Sequence, residues 1–141
     1  MRYQLFRGDE IPDRDWGSII EFAEEYISDY NLTKNYFDFM TSRQDYFYGI
    51  YYGGRNSTQV CGGVVITESN TEGIWISFIY VQEEFRRRGI ASGMLEEIKD
   101  FAFLNNYGDI RAGIDLNNSG SLKLFDNMGY RDKYTVKEIK L

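Results

Sequence analysis

The chain is 141 residues long, carries a formal net charge of -6, and contains no histidine and a single cysteine. The acidic balance works against a nucleic-acid partner, whose phosphates would be repelled over most of the surface. The absence of histidine excludes a histidine general base or ligand, and Cys61 alone can form neither an internal disulfide nor a thiolate metal site.

A hydrophobic content of 43% can supply one core, and residues 1–141 are expected to form a single domain. Neither a membrane-length apolar run nor a secretory signal pattern is present, so the cytoplasm is the expected compartment and no membrane contact is expected. In chain order, Arg2 to Phe6 alternates weakly as a first strand. Pro12 then opens a helix whose apolar residues Trp16, Ile19, Ile20, Ala23, Ile27 and Tyr30 recur at helical spacing. A short helix is expected over Lys34 to Thr41. Three strands follow, Tyr46 to Tyr52, Gln59 to Thr67 and Gly73 to Val81, separated by the turns Gly53-Gly54-Arg55-Asn56 and Glu68-Ser69-Asn70-Thr71. Beyond Gly89, Ala91, Met94, Leu95, Ile98, Phe101 and Ala102 mark an amphipathic helix with Glu96, Glu97, Lys99 and Asp100 on its other face. A strand from Asp109 to Leu116, a helix from Ser119 to Met128 and a last strand from Tyr134 to Lys140 complete the order.

The chemistry concentrates at Arg86-Arg87-Arg88-Gly89-Ile90-Ala91, between the apolar strand and the helix. A helix start offers unpaired backbone N–H groups and the positive end of the helix dipole, which together attract an anion. Gly89 and Ala91 keep bulk away from those amides, and the arginines add charged donors. An Arg-rich turn before a helix is ordinarily a solvated corner, so the surrounding register has to decide.

That register resembles the acetyl-CoA motif of the GCN5-related N-acetyltransferases (GNAT): Gln or Arg, two residues, Gly, one residue, Gly or Ala, set between a strand and a helix. Arg86, Gly89 and Ala91 fall on its three fixed positions, and Asn118, Ser121, Leu124, Phe125, Gly129 and Tyr130 follow the spacing of the family's second signature. The resemblance is strong from about Gly73 to Tyr130. It implies an α/β (α+β) fold, a mixed central sheet with helices on both faces. It also implies acetyl transfer from acetyl-CoA to a primary amine, by direct attack in a ternary complex and without a metal.

In such a fold two strands diverge and the pantetheine arm of the co-substrate pairs in the gap, here with Ile79, Tyr80 and Val81. The resemblance places the diphosphate on Arg86, Arg87, Arg88, Gly89, Ile90, Ala91 and Ser92, and brings Asn118 and Phe125 against the arm. Many members protonate the leaving thiolate with a tyrosine at the position of Phe125, and a phenyl ring has no proton to give. Either water or another tyrosine, Tyr80, Tyr130 or Tyr134, serves instead, or the thiolate leaves unassisted. For the general base Asp115 on the fifth strand is the candidate, with Glu72 as another, against the plainer role of a polar strand end capping a turn.

The acceptor is an amine, either a small cation or a protein or peptide amine. Asp9, Glu10, Asp13, Asp15, Glu21, Glu24, Glu25 and Asp29 make the first helix region acidic enough to attract a cation. Glu21, Glu24, Glu25 and Asp29 are nevertheless assigned to the solvated face opposite the apolar stripe. The aromatics Tyr36, Phe37, Phe39, Tyr46, Phe47, Tyr48, Tyr51 and Tyr52 fit core packing, a pocket or a homodimer. A catalytically silent acetyl-CoA-binding module is the alternative function.

Overall fold

A computed structural model of the chain describes residues 2–29, 46–56, 58–68 and 73–141. The helix expected over Lys34 to Thr41 lies outside the described residues, as do Glu72, Tyr30, Tyr36, Phe37 and Phe39. Five strands, β1 (Arg2–Arg7), β2 (Phe47–Gly53), β3 (Gln59–Glu68), β4 (Ile74–Val81) and β5 (Ile110–Ala112), form one sheet in that spatial order. The first four pair antiparallel and β5 runs parallel to β4, so the sheet is mixed.

Helix α1 (Asp13–Asp29) packs on one face and α2 (Ile90–Leu104) on the other, with α3 (Ser119–Asn127) joining the α2 side. The Pro12 carbonyl accepts the Asp15 and Trp16 N–H groups to start α1, while Asp13 and Asp15 complement the positive end of its dipole. Ile19, Phe22 and Ala23 then face the sheet at helical spacing. They come close because Gly63 has no side chain: a Cβ there would stand 2.8 Å from Ile19 Cδ1. Asp15, also buried, stays satisfied by the Tyr52 hydroxyl, which donates to it at 2.8 Å, and by Arg14.

An irregularity in β4 organises everything that follows. Val65 pairs with Phe78 and Ile66 with Ile76, which leaves Ser77 without an opposite residue. One extra residue reverses the face on which each later side chain emerges. Ile74 and Ile76 therefore pack with α2, whereas Phe78 and Tyr80 pack with α1. β5 pairs with Ile74, Trp75 and Ile76 only, so past the bulge that edge of β4 has no partner strand among the described residues.

Two expectations need correction. The fifth strand is three residues long instead of reaching Leu116, because its neighbour β4 turns away at the bulge and pairing ends. Residues 131–141 form no strand; every one is exposed, since alternation of Tyr134, Val136 and their neighbours provides a face but no second strand to bond to. No helix among the described residues is long and apolar enough to cross a membrane.

Candidate functional site

The α2 entrance is assembled from consecutive residues. After β4 a short 3-10 turn, Glu83–Phe85, buries Phe85 and turns the chain outward. Arg86 Nε donates to the Val81 carbonyl at 2.8 Å, and its guanidinium lies 5.2 Å from the Tyr80 ring centre. Arg87 and Gly89 both take left-handed dihedrals, φ of 64° and 75°. At Gly89 a Cβ would meet nothing within 4 Å, so the glycine is required by the backbone and not by crowding.

No side chain caps α2, and its first backbone bond inside the helix is Gly93 N–H to Gly89 O. The N–H groups of Ile90, Ala91 and Ser92 precede the repeating pattern and are the donors that a helix start leaves over. They border a cleft of about 420 Å³. Ile79, Tyr80 and Val81 form its β4 wall, and Arg86, Arg87, Gly89, Ile90, Ala91 and Ser92 its α2 end. Gln82 donates its N–H to Cys61 on β3, so the N–H of Val81, one residue earlier, points to the open side.

The third wall is the start of α3. Asn118, 9% exposed, caps that helix by accepting the Ser121 N–H at 3.1 Å and borders the cleft with Gly120, Ser121 and Leu124. Three expected site residues are elsewhere. Arg88 turns back over the Phe85 ring, 5.4 Å from its centre, and is not on the cleft wall. Phe125 is buried in the core, edge-on to Tyr130 with ring centres 4.8 Å apart, because the apolar face of α3 points to the sheet; Leu124 takes the cleft side. Asp115 is past the end of β5, exposed, and accepts the Asn117 N–H at 2.8 Å in the turn that leads into α3. It does not line the cleft.

The fourth wall was missed. Tyr26 and Asp29 of α1 line the cleft, and Glu25 accepts a hydrogen bond from the Tyr80 hydroxyl. Burial, then the hydrogen bond and charge of Glu25, push the Tyr80 phenol up to about 12, with Arg86 opposing. Glu25 and Asp29 are both exposed, as a solvated face requires, and they also stand at the edge of the cleft. The signal was available: Asp15, Ile19, Phe22, Tyr26 and Asp29 continue one stripe at spacings of four and three.

Of the remaining candidates, Tyr130 and Cys61 pack and Tyr134 does not. Burial raises Tyr130 to about 12, and Tyr134 is exposed. Cys61 is buried, donates its thiol to the Tyr51 carbonyl at 3.1 Å, and is pushed up by burial, away from the reactive thiolate. No group of three or more carboxylate or thiol side chains among the described residues is arranged to hold a metal ion.

Comparison with known proteins bears on the family and the fold. The acetyltransferase (GNAT) family model matches residues 10–130. Among solved structures, a possible acetyltransferase from Clostridium difficile 630 has a TM-score of 0.72 at 18% identity, covering 99% of this chain and 97% of its own. The ribosomal-protein-alanine N-acetyltransferase of Brucella melitensis biovar Abortus 2308 has a TM-score of 0.75 at 14% identity, with 100% of both chains covered. An aminoglycoside acetyltransferase from an uncultured soil metagenomic sample has 0.68 at 17% identity, covering 99% of this chain and 97% of its own. No curated protein sequence matches the chain.

Proposed function

The chain belongs to the acetyltransferase (GNAT) family, and from that premise we propose that it moves the acetyl group of acetyl-CoA to a primary amine by direct attack in a ternary complex. The observation that carries this reading is the junction of two features in one cleft. Pairing of β5 with β4 ends at Ile76, and the freed edge at Ile79, Tyr80 and Val81 leads into a space closed by the uncapped start of α2.

An extended chain with its own amides, such as a pantetheine arm, would pair with that edge in the manner of an added strand. Its diphosphate would meet the amides of Ile90, Ala91 and Ser92 with Arg86 and Arg87 alongside. The small residues Gly89, Ala91, Gly120 and Ser121 leave room at both helix starts.

At the reacting centre the N–H of Val81, aimed at the open edge, would stabilise the oxyanion that forms when an amine adds to the thioester carbonyl. The Val81 carbonyl is already bonded to Arg86, which holds this part of the strand in place. Ile79, Val81 and Leu124 give this part of the cleft an apolar wall. Neighbours of the fold include an aminoglycoside acetyltransferase and a ribosomal-protein-alanine N-acetyltransferase. An amine on a small cation or on a protein or peptide is the corresponding acceptor for this chain.

The test is calorimetry with coenzyme A, followed by incubation with acetyl-CoA and a pooled amine and peptide library. Binding heat, amine-dependent release of free thiol and acetylated products by mass spectrometry are expected. Heat without any product would identify a silent binding module, and absence of heat would overturn the co-substrate site itself.

A further inference from the structure

Attack by an amine leaves a proton that must be removed from nitrogen, and Asp115 is exposed and engaged with the Asn117 N–H instead of bordering the cleft. A different carboxylate is connected to the cleft. Tyr80, 7% exposed, forms part of its wall, and its hydroxyl donates to the Glu25 carboxylate. We propose that Tyr80 and Glu25 form a proton relay in which the tyrosine hydroxyl touches the acceptor amine and Glu25 receives the proton from behind it.

This assignment rests on the acetyl-transfer reading. In the step, the neutral amine nitrogen forms a bond to the thioester carbonyl carbon and the C–S bond breaks, the electron pair leaving on sulfur. The N–H proton passes to the Tyr80 oxygen as that oxygen gives its own proton to Glu25. The thiolate takes a proton from water, and Glu25 returns its proton to the resulting hydroxide through solvent. Tyr80 stays neutral throughout. Glu25 is a positioning residue and proton terminus, since it reaches the amine only through the phenol.

Three facts support this arrangement. The bulge at Ser77 turns Tyr80 towards α1, where its hydroxyl meets Glu25 on the exposed side of that helix. Phe22 and Phe78 flank the Tyr80 ring at 5.1 and 6.2 Å between centres and fix its direction. A phenol pushed up to about 12 is not an anion near neutrality, which suits a relay and excludes a phenolate base. The charged groups facing Tyr80 are Glu25 and Asp29 from α1 and Arg86 from the segment before α2, with Tyr26 beside them on the cleft wall.

The experiment uses the full chain with an acceptor found in the library screen, and compares Glu25→Gln, Glu25→Asp, Tyr80→Phe and the Glu25→Gln/Tyr80→Phe pair. Each is measured for coenzyme A affinity and for kcat. Glu25→Gln and Tyr80→Phe are each expected to lower kcat by about 10²-fold, at the low end of general-base effects. The double variant should be no slower than either single one, because the two act as a unit. Glu25→Asp should recover part of the rate, and coenzyme A affinity should hold in all four. Unchanged kcat in Glu25→Gln would overturn the relay while leaving acetyl transfer intact. So would losses that multiply in the double variant, or equal losses of kcat and coenzyme A affinity, the mark of a structural role. A wild-type protein that binds coenzyme A yet releases no thiol with any amine would overturn acetyl transfer and the relay together.

Discussion

The two ends of the cleft are made of different materials. At the α2 end the donors are backbone amides within one short run, Arg86 to Ser92, and their direction depends on two left-handed residues, Arg87 and Gly89. At the α1 end the polar groups are side chains brought from afar, Tyr80 and Glu25 being 55 residues apart. Backbone recognition fails when the chain conformation is disturbed locally, whereas side-chain recognition fails when a whole element shifts. The two ends should therefore be separable by substitution.

The largest effect is expected from the α2 end. Gly89→Glu adds a side chain where φ is 75°, a left-handed conformation that costs roughly 1–2 kcal/mol outside glycine, and adds negative charge beside the proposed diphosphate. The Cβ itself has room, so the fold should survive. Coenzyme A affinity, measured by calorimetry, should fall on the order of 100-fold, the equivalent of losing one or two charge-assisted hydrogen bonds. Retained affinity would mean that the anion site is elsewhere.

Gly63→Val probes the other end. Its Cβ would approach Ile19 Cδ1 to 2.8 Å, so α1 must move or Ile19 must find a new rotamer. Overpacking of this kind costs about 1–3 kcal/mol, readable as a lower urea midpoint. Because α1 carries Tyr26, Glu25 and Asp29 but no part of the α2 entrance, turnover should fall while coenzyme A affinity changes little. If both fell together, the two ends would be one mechanical unit and the contrast would be lost.

The same contrast explains what could be read from the residues alone. The α2 end was legible because strand, arginine-glycine run and helix are contiguous, and local backbone geometry follows from local sequence. β4 was legible as a strand, yet its eight alternately buried residues gave no sign that Ser77 divides them between two faces. A bulge is fixed by its partner strand, which local alternation cannot show. From this one omission follow the overlong fifth strand and the placement of Asp115 on it. Asp29 is exposed, as expected of the solvated face of α1, and its spacing from Phe22 and Tyr26 also brings it to the cleft wall. Phe125 carries a motif position, but motif spacing fixes a place on α3 and not which neighbour its ring meets.

The smallest effect sharpens the comparison through alkaline stability. Tyr80, Tyr107 and Tyr130 are each raised from the ordinary 10.0 to about 12, first by burial, and Tyr80 and Tyr107 further by the carboxylates of Glu25 and Glu68. Below pH 10 both folded and unfolded chains hold these protons, and the stabilisation is fully present. As pH rises from 10 towards 12 the unfolded chain ionises first and stability falls. Replacing Tyr80 with Phe should reduce the steepness of that fall in urea midpoint, and Glu25→Gln should reduce it less, since burial outweighs the carboxylate. An unaltered slope in the Tyr80→Phe protein would mean that its hydroxyl is not enclosed against α1, and the side-chain end of the cleft would lose its anchor.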